Sequence, residues 1–264
     1  MSKTNRYQAL LEKIFFDRYK KRMTEVPFDR EDLSTTAGAL GIKLPKNLGD
    51  VIYSSRYRTP LPKRILDTQP SGLEWILDGA GRAKYVFRLA KINRIAPNSN
   101  LVTIKVPDAT PELISAYALS DEQALLAKVR YNRLLDIFLG LATYSLQSHL
   151  RTTVHDIGQI EIDELYVGID RQGRQFVLPV QAKGGKDRLS TVQAKQDITW
   201  CSRKFPNLIC RAISAQFMAN NLIALFELSI EGSEVKVVDE KHYSLVPSEE
   251  ITAEDLHRYR ARSK

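Results

Sequence analysis

Cysteine is nearly absent: the 264 residues hold only Cys201 and Cys210. That excludes a disulfide framework and a zinc quartet, and it fits a reducing compartment, so a cytoplasmic location is expected. No run of about 18 apolar residues occurs, which excludes a membrane-spanning helix and a membrane partner. Residues 1–22 carry charge throughout and lack the apolar stretch of a signal peptide. There is no internal repeat, no low-complexity tract, no phosphate-binding glycine loop, no dinucleotide fingerprint and no Ser-His-Asp pattern. Those absences remove nucleotide-driven enzymes and serine hydrolases from consideration.

Charge is present and unevenly placed. The chain carries a formal +8. Residues 1–100 hold 19 Lys and Arg against 10 Asp and Glu, and the remainder holds 20 against 21. Almost all of the positive excess therefore lies in the first 100 residues. Lysine and arginine concentrated in this way release counterions from a phosphate backbone, so a nucleic-acid partner is expected there. A solvated basic surface is the alternative for each residue taken singly.

The same segment has a recognisable layout. Leu10, Leu11, Ile14 and Phe15 are spaced for an amphipathic helix over residues 5–22. Asp29 caps a second helix from about Arg30 to Leu40, and Gly41 to Pro45 break the chain before Asn47 caps a third. Trp75 to Leu77 and Lys84 to Leu89, joined through Asp78-Gly79-Ala80-Gly81-Arg82, read as a β-hairpin. Helix–turn–helix followed by a basic hairpin predicts a winged-helix-like domain over residues 1–98. Its candidate DNA contacts are Lys46, Arg56 and Arg58 from the third helix, with Arg82, Lys84 and Arg88 on the wing. Pro97-Asn98-Ser99-Asn100 is the expected linker to a second domain over residues 99–264.

In that second domain, Ser120-Asp121-Glu122 open a helix expected to run to about Leu150. Two strands, 159–169 and 175–183, then flank the turn Asp170 to Arg174. Strand alternation sends Glu161 and Asp163 to one side, and Gln181 and Lys183 to one side of the second strand. The hairpin thus gathers carboxylates, a carboxamide and an ammonium. Hard oxygen donors of this kind suit Mg²⁺, with Mn²⁺ as a substitute. Asp163 would be the principal ligand, Gln181 and the backbone carbonyl of Ala182 would complete the protein side, and Lys183 would be the catalytic ammonium in phosphodiester hydrolysis. Glu161 is an accessory acid or a plain strand residue, and Glu164 points the other way as a structural one. Helix 187–200 repeats the tripeptide as Gln193-Ala194-Lys195, from which Gln193 is an accessory candidate sharing a helix face with Asp197. Lys186 is a phosphate contact or a solvated loop lysine. Asp136 and Glu122 are candidate acids of the first helix, with capping or solvent roles favoured. His149 is a phosphate contact, a general acid or, the favoured reading, a helix-end histidine stabilised by the dipole.

Asp163, a hairpin, and then Gln181-Ala182-Lys183 followed by Gly184-Gly185 resemble the PD-(D/E)xK nuclease superfamily, in its Mrr-like Asp…Gln-x-Lys variant. The resemblance covers roughly residues 120–230. It departs from the pattern where Ile162 replaces the usual proline and Gln181 the usual acid. It implies an α-β-β-β-α-β core, hence a mixed α/β (α+β) protein with a restriction-endonuclease-like central sheet flanked by helices. It implies Mg²⁺-dependent cleavage of double-stranded DNA in restriction or phage defence, a homodimer to cut both strands, and a cognate methyltransferase as partner. A repair or recombination nuclease and a catalytically inactive DNA-binding regulator are the alternatives.

Overall fold

A computed structural model describes residues 6–45, 48–49, 51–52, 55, 60–81, 83–91, 94–117, 122–154, 158–185, 187–218, 221–232 and 234–261. The chain divides into two compact units, one over residues 1–92 with 151–160, the other over 93–150 with 161–264.

In the first unit, helix α1 (Arg6–Arg18) is followed by strand β1 (Glu25–Asp29), helix α2 (Arg30–Ala39), a short helix α3 (Lys63–Leu66), and strands β2 (Glu74–Gly79) and β3 (Lys84–Ala90). The strands form a three-stranded antiparallel sheet in the order β1-β3-β2, with Asp29 opposite Lys84. Leu10, Leu11, Ile14 and Phe15 recur on one face of α1, and all four are fully buried. Phe15 meets Trp75 and Phe87 edge to face, with centroids 5.1 and 5.2 Å away, so the helix is seated on the sheet by aromatic packing. The Asp32 carboxylate accepts from the Asp29 N–H at 2.7 Å, half of a capping box that starts α2 one residue after β1 ends.

Pro27 to Asp29, whose residue types suit a helix entry, belong to the strand β1. Its strict in–out alternation over five residues is legible only once β3 supplies a partner. Lys84 is exposed at the start of β3, and Arg88 is paired with Glu25 across the sheet at 2.8 Å. Lys46, Asn47, Arg56, Arg58 and Arg82 lie outside the described residues.

The second unit is a mixed α/β structure around an eight-stranded mixed sheet flanked by helices. Its elements are β4 (Thr103–Pro107), α4 (Glu112–Tyr117), α5 (Glu122–Tyr131), α6 (Leu134–Leu139), β5 (Ala142–Val154), β6 (Gly158–Ile169), β7 (Gln175–Lys183), α7 (Thr191–Lys204), β8 (Ile209–Cys210), β9 (Ala212–Phe217), β10 (Leu222–Glu231), β11 (Glu234–Val246) and α8 (Ala253–Ala261). The sheet runs β4-β11-β10-β9-β7-β6-β5, with β8 beside β7. β7 is parallel to β9 and antiparallel to β6, so it sits at the centre with both edges paired. Leu125, Leu126 and Val129 of α5 and Leu134, Leu135 and Leu139 of α6 pack on one face against Tyr166, Leu178, Val180 and Ala182. A second cluster joins Ala194 and Ile198 of α7 to Ala212, Ala224 and Phe226. Among the described residues no helix is long and apolar enough to cross a membrane.

The helix expected through Leu150 is overturned. It stops at Tyr131, where the Asn132 side chain bonds to the Ala109 N–H (2.7 Å), Thr110 Oγ1 (2.8 Å) and the Lys128 carbonyl (3.0 Å). Arg133 takes a left-handed conformation, one more short helix follows, and Gly140 ends it at φ +66°. Glycine reaches that region without steric cost, which is why the chain turns there into β5. The apolar spacing of 134–141 continues helically, so the signal that decides is Gly140 itself. His149, expected at a helix end, is a strand residue, as is Arg151 beyond it. The order over residues 122–217 is therefore two short helices, three strands of which β6 and β7 are antiparallel, a helix, and the strands β8 and β9.

Candidate active site

β6 and β7 pair regularly from Ile169 opposite Gln175 to Glu164 opposite Val180, and there the ladder ends. Beyond that point the strands are held by side chains in place of backbone. Asp163 Oδ2 accepts from the Ala182 N–H at 2.8 Å, and Gln181 Nε2 donates to the Glu161 carbonyl at 2.8 Å. In a strand, the N–H and C=O of one residue point to the same edge. The Ala182 carbonyl therefore faces the β6 edge, as its N–H does. Along the other edge β7 stays paired to β9, which sets Gln181 beside Ser214 and Lys183 beside Gln216. Gln181, Ser214 and Gln216 are buried, and Gln216 Nε2 anchors the end of β7 by donating to the Lys183 carbonyl at 3.2 Å.

Lys183 is the one ammonium described in this group. Its Nζ is 3.5 Å from Glu122 Oε1 and 4.0 Å from Asp163 Oδ2, and its side chain is 14% exposed. Against it stand four carboxyl groups. Burial pushes the Asp163 carboxyl above its ordinary value, with Lys183 and the Ala182 N–H opposing. Burial also raises Glu122, with Lys183 opposing and Asp163 adding to the rise. Glu161 is raised by burial and then by Asp163. Asp197, from α7, is pushed well up by burial, and its Oδ2 accepts from Gln181 Nε2 at 2.8 Å. His149 takes φ +50° on β5 and brings Nδ1 to 3.9 Å from Glu161 Oε1. Negative charge thus exceeds positive around Asp163, an imbalance that a bound cation would relieve.

The residues expected from the sequence divide clearly. Asp163, Gln181, Ala182, Lys183 and Glu161 come together at the open end of one hairpin. Gln193 is not tied in: its backbone N–H donates to the capping Ser190 Oγ at 3.1 Å, and among the described residues no hydrogen bond from its side chain to this group is seen. Lys186 lies outside the described residues. Glu164 turns to the opposite face, where Oε1 accepts from Arg130 Nη2 (2.5 Å) and Ser145 Oγ (2.6 Å). Asp136 is structural, accepting from the Thr143 N–H at 2.8 Å. Two contributors were undervalued. Glu122 had only the helix start to mark it. Asp197 was visible only as the partner of Gln193 four residues before it, yet it is Asp197 that faces Gln181. Ser214 and Gln216 had one sequence signal, polar residues at alternate positions of an otherwise apolar strand.

Among the described residues no group of three or more His, Cys, Asp and Glu side chains is arranged to hold a metal ion. The donors at the opening are of another composition: the Asp163 carboxylate, the Gln181 amide oxygen and the Ala182 carbonyl. Gln181 Oε1 is buried and has no hydrogen-bond partner. An orphaned oxygen beside surplus carboxylates suits a hard divalent cation, so these residues fit such an ion. No family model, curated protein or solved structure matches the chain.

Proposed function

We propose that the chain is a metal-dependent endonuclease that hydrolyses phosphodiester bonds in double-stranded DNA, with a PD-(D/E)xK-like site at Asp163, Gln181 and Lys183. The observation that carries the reading is the open end of the β6–β7 hairpin, where one lysine faces a surplus of carboxyl groups and an orphaned amide oxygen. The order over residues 122–217, a helical segment of two short helices, three strands, a helix and then β8 and β9, supports the reading, since the resemblance implies helix, three strands, helix, strand.

Asp163, Gln181 Oε1 and the Ala182 carbonyl would hold Mg²⁺ or Mn²⁺. A divalent ion there supplies a polarised phosphate and a water of lowered pKa. Lys183 places an ammonium beside Asp163, where it neutralises charge building on a phosphate oxygen and orients the attacking water. Asp163 holds the strand end and that ammonium in register through its bond to the Ala182 N–H. Glu122 fixes the ammonium from the other side.

The basic first unit is the proposed DNA-docking element, a winged-helix-like fold. Its support is the order helix, strand, helix, the short helix α3, then a β-hairpin, with β1 completing the sheet, and the charge excess of residues 1–100. Free thiols at Cys201 and Cys210 suit a cytoplasmic protein. Restriction or phage defence, with a methyltransferase as partner and a second copy cutting the opposite strand, completes the proposal.

The test is incubation of the full chain with methylated and unmethylated plasmid, with Mg²⁺ and with chelator, beside Lys183→Ala and Asp163→Ala. Cleavage that needs the metal and is lost in both variants is expected. No cleavage with Mg²⁺ or Mn²⁺, or cleavage unchanged in Lys183→Ala, overturns the reading.

A further inference from the structure

We propose that Asp197 is a positioning residue that holds Gln181 with its amide oxygen, not its nitrogen, available as a metal donor. The inference rests on the nuclease reading above and deepens it.

The two ends of a carboxamide are nearly the same size, so packing alone cannot choose which one faces a site. Hydrogen bonds choose. Gln181 Nε2 has two hydrogens, and both are taken by acceptors, the Glu161 carbonyl at 2.8 Å and Asp197 Oδ2 at 2.8 Å. Turning the amide over would set its oxygen against a carbonyl and a carboxyl. The oxygen is thereby left as the free end, buried and without a partner.

Asp197 has no evident packing reason to be an acid. It lies on the buried side of α7 with Ala194 and Cys201, and is 2% exposed. Its Oδ1 has no hydrogen-bond partner, so a single bond to a neutral amide holds the group in place. Burial of a carboxyl on such terms is costly. An apolar side chain would pack there more favourably unless the acceptor were needed.

The pair also accounts for Gln181 standing where an acid is usual. A glutamate at that position would point its oxygens at the Glu161 carbonyl and at Asp197. Gln181 and Asp197 are in this view a matched donor and acceptor: the amide at position 181 needs an oxygen acceptor at position 197.

The experiment is titration of the full chain with Mn²⁺, following free Mn²⁺ by electron paramagnetic resonance, with circular dichroism to confirm folding. Asp197→Asn keeps an oxygen acceptor and is expected to bind within a few-fold of wild type. Asp197→Leu removes the acceptor and is expected to lose about 10–100-fold in affinity, the usual cost of losing a group that orients a ligand. Gln181→Glu should bind about tenfold more weakly. Adding Asp197→Asn should recover much of that loss, because the asparagine amide can donate to the new carboxylate. Should Asp197→Leu not fold, the Gln181→Glu single and double variants carry the test.

Wild-type affinity in Asp197→Leu overturns the inference. So does Gln181→Glu binding more tightly than wild type, or Asp197→Asn losing as much as Asp197→Leu, which would make the charge the working feature. Those outcomes leave the nuclease reading intact if wild type still binds Mn²⁺ and cuts DNA. A wild-type chain that neither binds Mn²⁺ nor cuts DNA overturns both.

Discussion

Asp163 and Glu164 are consecutive on β6, point to opposite faces of one sheet, and meet opposite treatment. Glu164 is fully buried, but a guanidinium and a hydroxyl converge on its Oε1. Asp163 shares its surroundings with three other carboxyl groups and one lysine. A buried acid with its own cation serves the fold. Acids crowded around one ammonium oppose the fold, and such crowding is characteristic of positions kept for chemistry.

The largest expected effect separates these neighbours. Asp163→Ala or Lys183→Ala should lower metal-dependent plasmid cleavage by about 10³-fold, the scale of losing a group aimed at developing charge. Glu164→Ala should leave the rate per folded molecule within a few-fold, because its side chain points away from the face that carries Asp163 and Lys183. Kinetics on both variants check this, and loss of cleavage in Glu164→Ala at unchanged stability would break the comparison.

Stability should show the reverse order. Glu164→Ala leaves Arg130 and Ser145 without their acceptor and should cost about 1–3 kcal/mol in urea melts. Arg130 is 44% exposed, so water recovers part of its loss.

The third expectation concerns pH. Asp163 has a folded-state pKa raised above its unfolded value, chiefly by burial. Its stabilising contribution is full below the unfolded carboxylate value and is lost as pH rises through the raised one. Asp163→Asn keeps an oxygen for the Ala182 N–H and removes the charge. Without divalent metal it should melt above wild type by about 2–4 °C at pH 8, the shift that about 1 kcal/mol gives in a chain of this size. At pH 4 the difference should shrink. A difference that grew on acidification would contradict the assigned burial of that carboxylate.

Smaller effects test how the two faces are assembled. Gly140→Ala forces a left-handed alanine at the turn from α6 into β5 and should cost about 1 kcal/mol. Ser190→Ala removes the cap of the helix bearing Asp197 and should cost about 0.5–1 kcal/mol, readable as a small fall in melting temperature.

Much of this was legible in the residues. The β6 and β7 strands, the turn Asp170 to Arg174 and the alternation that groups Asp163 with Lys183 follow from period-two patterning, which acts over a few residues. α1, α2 and the β2–β3 hairpin were legible for the same reason. The helix predicted through Leu150 was wrong, because apolar spacing after Leu134 suits a helix until Gly140 ends it, and β5 becomes a strand only beside β6. Gln193 was favoured over Asp197, because spacing shows which residues share a helix face but not which of them meets the sheet.

Local sequence therefore determined the hairpin, the grouping of Asp163 with Gln181 and Lys183, and the concentration of positive charge near one end of the chain. Tertiary structure alone decided that the β6–β7 ladder stops at Glu164 and Val180, that Glu122 reaches Lys183, and that Asp197 takes the Gln181 amide. Those contacts join residues 16 and 61 positions apart. Hydrogen bonds over such separations depend on how helices pack on a sheet, and no short-range periodicity encodes that.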